Sequence, residues 1–208
     1  MKFSKLGSHA KQLASTAHHE AGHAVAAFHF DLNPSSISIS TDFDDDSFGR
    51  HSRLTGLQDI DPGVENPTPV QQRQVETNVF VCCTGAWAQK RFFPKGFIRE
   101  YHAESDEEVA FRFLGQLESD QGILTAYYRL IDLRARKFVQ NESHWEAISY
   151  LAGCLLEQPK MPGDEVWQAI IYGYEIGLGH LTLSEFEDID IEVVSSDEVQ
   201  KVIEHGKQ

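Results

Sequence analysis

The stretch Ser15-Thr16-Ala17-His18-His19-Glu20-Ala21-Gly22-His23-Ala24-Val25-Ala26-Ala27-Phe28 decides how the rest of the chain is read. It holds the pattern His-Glu-x-x-His inside a proline-free run of small and apolar residues, a composition that predicts a helix. Four residues make about one helical turn, so His19 and His23 share a face. Two neutral imidazoles at that spacing can hold one zinc ion, and the intervening Glu20 reaches the water such an ion activates. A surface helix turn can show the same letters as a merely solvated face. Here the flanks Ala17, Ala21, Gly22, Ala24, Val25, Ala26 and Ala27 predict a helix packed inside the protein. Buried His and Glu side chains need something to satisfy them. His19 and His23 are therefore the first candidate metal ligands, and Glu20 is the candidate general base.

The 208 residues suffice for one ordinary domain with its own core, and 41% hydrophobic with 24% charged residues is a globular composition. The formal net charge of -14 argues against non-specific binding to nucleic acid or to an anionic membrane, which need clustered Lys and Arg. No apolar run reaches the roughly 18 to 20 residues of a membrane span. Residues 1–8 lack the apolar core of a signal peptide. Cys82, Cys83 and Cys154 lie among apolar neighbours and read as buried thiols, which suits a cytoplasmic protein. The sequence has no G-x-x-x-x-G-K-[ST] phosphate loop.

In chain order, the spacing predicts a first helix over 9–31, capped by Ser8 and ended by Asn33-Pro34. An alternating strand follows at 36–40, then a polar loop at 41–52 whose Asp44-Asp45-Asp46 lacks calcium-loop spacing. A second strand is expected at 53–57 and a lid-like loop at 61–69. Residues 70–93, apolar nearly all round at 79–88, predict a buried central helix. Ser105 reads as the N-cap of another helix, with Asp106, Glu107 and Glu108 in its first turn. Further helices are expected at 120–140, at 142–158 and from Pro162 to Tyr172, then an acidic tail with weak strands at 181–183 and 189–194. The fold class is mainly α with a small β element, divided into a domain over 1–179 and a C-terminal tail over 180–208.

A catalytic zinc site usually takes a third protein ligand. His29 would complete H-E-x-x-H-x-x-x-x-x-H, but that arrangement needs a glycine turn where this chain has Ala26. A helix that continues carries His29 about 240° round from His23. Asp106, Glu107 and Glu108 remain, and spacing does not choose among them.

His19-Glu20-Ala21-Gly22-His23-Ala24 resembles the H-E-A-G-H-A signature of the peptidase domain of the FtsH family, the membrane-bound ATP-dependent zinc proteases of peptidase family M41. Thr84-Gly85-Ala86-Trp87-Ala88-Gln89 resembles that family's G-G-R-x-A-E helix, with Ala86 and Gln89 in place of Arg and Glu. Ser105-Asp106, with Ala110 four residues on, resembles its N-D-x-x-x-A segment, and residues 151–157 and 162–166 resemble its closing helical pair. The similarity covers roughly residues 10–172, without the ATPase module or the membrane anchor. It implies a helical zinc-peptidase domain with Asp106 as third ligand. It also implies that Glu20 acts as base on zinc-bound water to hydrolyse peptides, flexible segments or unfolded protein without ATP. The family's rings suggest a homo-oligomer. His18 and His102 stand near enough in sequence to assist, but each reads more simply as a surface histidine. A silent zinc-binding module is the other reading open to such a chain.

Overall fold

The structure is a computed structural model, and it describes residues 8–32, 36–39, 67–95 and 104–179. Six helices and one two-stranded sheet make up this part, so the chain is mainly helical as expected. The segments expected at 40–66, His102, and the tail over 180–208 with its two strand candidates lie outside the described residues. No helix among the described residues is long and apolar enough to cross a membrane.

Helix α1 (Ser8–His29) carries the His-Glu-x-x-His turn, and its Ala17, Ala21, Ala24 and Val25 are buried. It ends two residues before the expected boundary. Phe30 and Asp31 turn the chain through bonds from Phe30 N–H to the Ala27 carbonyl and from Asp31 N–H to the Phe28 carbonyl. Asp31 takes a φ of 56°, a left-handed conformation that aspartate tolerates better than most side chains.

Helix α2 (Pro69–Phe92) starts from a capping box: the Thr68 hydroxyl accepts from Gln71 N–H, and the Gln71 side chain accepts from Thr68 N–H. Its buried character has a simple cause. Val81 and Ala88 join one core, with residues of α1 and of α5 (Glu142–Glu157) and α6 (Gly163–Gly177). Val75, Val79, Cys82 and Cys83 join a second core, with α3 (Glu104–Leu114) and α4 (Gln121–Gln140). A helix between two cores has little polar face to spare.

Strands β1 (Ser36–Ser38) and β2 (Lys160–Pro162) pair antiparallel, with Ile37 opposite Met161 and both buried. Helix α6 runs past Tyr172 to Gly177. The glycines beyond Tyr172 serve close packing. A β-carbon at Gly173 would lie 2.5 Å from Ala147 Cα, and one at Gly177 would lie 2.9 Å from Ser143 Cα. Ser105 is not an N-cap, since α3 already begins at Glu104. Cys154 is half-buried rather than buried, whereas Cys82 and Cys83 are buried.

Candidate metal centre

Helices α1 and α2 run in opposite senses and cross where Gly22 of α1 meets Gly85 and the small Ala88 of α2. A β-carbon at Gly22 would lie 2.7 Å from Ala88 Cβ and 3.2 Å from Gly85 Cα. This crossing seats the His-Glu-x-x-His turn directly on α2. The His23 ring lies over Gly85, so close that a β-carbon there would come within 2.4 Å of Nε2.

Each histidine turns its Nδ1 towards α2. His23 Nδ1 donates to the Val81 carbonyl at 2.7 Å, and His19 Nδ1 donates to Gln89 Oε1 at 3.0 Å. Carbonyl oxygens only accept, so both Nδ1 atoms carry the proton and both Nε2 atoms keep their lone pair in the neutral rings. Those Nε2 atoms point at each other, 3.0 Å apart. Helix α3 brings the third group: Asp106 Oδ2 lies 3.0 Å from His19 Nε2 and 3.2 Å from His23 Nε2. Its placement follows from helical phase, because Ala110, Phe113 and Leu114 on the same stripe are buried in the second core. Asp106 is buried, Glu107 is half-buried and Glu108 is exposed.

His19, His23 and Asp106 thus form a buried group able to bind a metal ion. The fit can be tested on spacing. A tetrahedral ion with bonds of about 2.0 to 2.1 Å sets its ligand atoms about 3.3 Å apart. The observed triangle of 3.0, 3.0 and 3.2 Å is close to such a face, slightly contracted. The donor chemistry agrees, since lone pairs that converge in a buried site need a cation between them. The Nδ1 bonds supply what imidazole ligands require, a partner that fixes tautomer and ring orientation.

Glu20, the fourth residue expected at the site, is buried on the same turn, and its charge is felt at His23. His29 is elsewhere: its ring packs against Phe138 and His144 at the far end of α1. His18 corrects the surface reading. It is buried, stacks on Phe92 with centroids 3.9 Å apart, and bonds through Nδ1 to the Ala14 carbonyl at 2.7 Å. Burial lowers its pKa to about 4, against a smaller upward effect of the Ala14 bond. It is a neutral packing residue. Val81 and Gln89 are the site residues that sequence reading missed. Gln89 stood in a quoted motif as a departure, and a main-chain carbonyl leaves no mark in a sequence.

Without an ion, the charges around the site favour the protonated form of His23. Burial alone would lower the pKa of His23, but the Asp106 charge and hydrogen bond, with Glu20 and the Val81 carbonyl, hold it at about 9. Burial would raise Asp106, yet the two histidines hold it well below the usual carboxylate range. The sign follows. The His23 contribution to metal-free stability is complete below its ordinary value of 6.5 and is lost as pH rises through about 9. That of Asp106 is present above its ordinary value of 3.8 and is lost only in strong acid. An incoming ion must displace the proton. Zinc binding at pH 7 should therefore release about one proton, and apparent affinity should rise about tenfold per pH unit up to pH 9. Calorimetry in buffers of different ionisation heat measures both, and binding without proton release would show that His23 starts neutral.

No protein-family model matches this chain, and no curated protein matches it significantly.

Proposed function

We propose that the chain is a zinc-dependent endopeptidase that works without ATP. The observation that carries the reading is the convergence of His19 Nε2, His23 Nε2 and Asp106 Oδ2 within 3.2 Å at the helix turn that also carries the buried Glu20. Two imidazoles and one carboxylate suit zinc, and three protein ligands leave a position open for chemistry. Zinc bound there would supply Lewis acidity and a water of lowered pKa.

The chain's own groups do the rest. His19, His23 and Asp106 hold the ion, and Gln89 and the Val81 carbonyl keep both rings turned towards it. A Glu20 carboxylate oxygen takes the proton from the attacking water and passes it to the nitrogen of the departing amine. Glu20 suits that role because it shares the helix turn that supplies both histidines. A cation site made only for stability has no need of such a base. The substrates that fit are peptides, flexible segments and unfolded protein, whose backbone is open to attack without prior unfolding. A cytoplasmic setting agrees with the thiol usage.

Burial favours the competing reading, a catalytically silent zinc-binding module, because no ligand is more than 8% exposed. Turnover separates the two. The peptidase reading expects cleavage of an unstructured polypeptide such as casein, its loss on treatment with a chelator, and its return with stoichiometric zinc. Zinc-loaded protein that cleaves no unstructured polypeptide would leave the silent module.

A further inference from the structure

Helix α4 has two apolar stripes on different sides. Leu124, Tyr128, Ile131, Ala135 and Phe138 form the buried one. Ile123, Ala126, Leu130 and Leu133 form the other, and all four are exposed, the three large ones at 53%, 46% and 58%. At about 100° per residue this outer stripe is only about 80° wide and is centred about 140° from the buried one. Its members follow one another at intervals of three, four and three residues, the spacing with which one helix packs along another. Single exposed apolar side chains are ordinary on a surface, whereas an unbroken seam at this spacing is what a partner helix covers.

The charges beside the seam are all of one sign. Arg129 and Arg136 border it on one side and Arg134 on the other, and Lys137 continues its line towards the end of the helix. All four are exposed, on a chain whose net charge is -14. Asp132, the one acid of α4, turns to α2 instead and accepts from Trp87 Nε1 at 2.8 Å. Glu76 of α2, on the Arg134 side, is taken up by the Tyr127 hydroxyl. Charge therefore decides what fits. A second copy would set arginine against arginine whichever way the two helices ran, because both flanks are cationic. An anionic membrane would attract the cations but favours a broad apolar face with bulky residues, and the acidic chain as a whole repels it. A helix with its own apolar seam and carboxylates on both flanks meets every feature of this face.

We propose that the outer face of α4 docks an acidic amphipathic helix of another protein. That helix lays its seam on Ile123, Ala126, Leu130 and Leu133 and sets its flanking carboxylates against Arg129, Arg134 and Arg136. The docking is independent of the metal centre. The probe is a fluorescein-labelled peptide of three Glu-Ile-Ala-Ala-Leu-Glu-Lys heptads, and anisotropy with the full chain reads its binding. A dissociation constant of about 100 µM or tighter is expected, weakening several-fold in 1 M NaCl. The reversed peptide, built of Lys-Ile-Ala-Ala-Leu-Lys-Glu heptads, should bind at least about tenfold more weakly. Leu130→Asp/Leu133→Asp should lose the acidic peptide, with circular dichroism verifying the fold because both positions are exposed. Arg129→Glu/Arg134→Glu should reverse the preference between the two peptides, a gain that a misfolded protein cannot give. Failure of the acidic peptide to bind, equal binding of both peptides, or a preference unchanged in the charge-swapped variant would each overturn the proposal. So would a dimer in sedimentation that Leu130→Asp/Leu133→Asp abolishes, or displacement of the peptide by phosphatidylserine vesicles.

Discussion

Under the proposed peptidase reading, Glu20→Gln is expected to keep zinc at the site and to lower peptide hydrolysis by about 10²- to 10⁴-fold, the usual contribution of a positioned general base. The amide has nearly the same shape as the carboxylate, so it fits the same buried place on α1. It cannot accept a proton from water. Its effect on metal binding should be small for a further reason. Removing the Glu20 charge weakens the attraction for a cation but also removes one of the influences that raise the pKa of His23. The competing proton is then held less tightly, and the two effects oppose each other. Zinc content and single-turnover cleavage measured on one preparation give the answer. Wild-type turnover in the variant would remove Glu20 from the mechanism.

Gly85→Ala is expected to damage the site through the fold. The new methyl would lie 2.4, 2.5 and 2.8 Å from Nε2, Cε1 and Cδ2 of His23. The ring cannot swing away cheaply, because its Nδ1 is bonded to Val81 and its far side is buried. Overpacking of this kind costs about 1 to 3 kcal/mol. Displacing a ligand from its orienting partner typically costs about 10- to 100-fold in metal affinity. Chelator competition and thermal melting read the two effects separately. Gly153→Ala is the control, since a β-carbon there meets nothing within 4 Å. Within α5 it should be neutral, or more stable by up to about 1 kcal/mol. Equal losses in both variants would mean that helix glycines as such, and not the His23 contact, are responsible.

The helix that bears the histidines was legible because its signal is local: a five-residue pattern, alanine-rich flanks and no glycine at Ala26. Its continuation placed His29 out of reach, and the structure has His29 at the far end of α1. The acidic side chain that meets the histidines was less legible. Asp106, Glu107 and Glu108 are chemically alike, and only the phase of α3 distinguishes them. The stripe Asp106, Ala110, Phe113 and Leu114 does carry that phase, but Phe111 and Val109 blur it in the sequence. Strand β2 was out of reach altogether. Three residues have no period to read, and Met161 becomes a strand residue only because Ile37 lies opposite. Gly85 could be seen as a motif letter, but its purpose lies in a ring 62 positions away in sequence.

The position of α2 between two cores has a consequence for how the protein comes apart. His19 and His23 belong to the first core's side of that helix, and Asp106 to the second's. An ion gripped by all three would be a clasp between two half-domains that, among the described residues, meet along α2 and where α4 turns into α5. Unclasped, each half can open by its own local fluctuations. Clasped, neither opens without letting go of the metal, and the two behave as one cooperative unit whose stability follows the metal concentration.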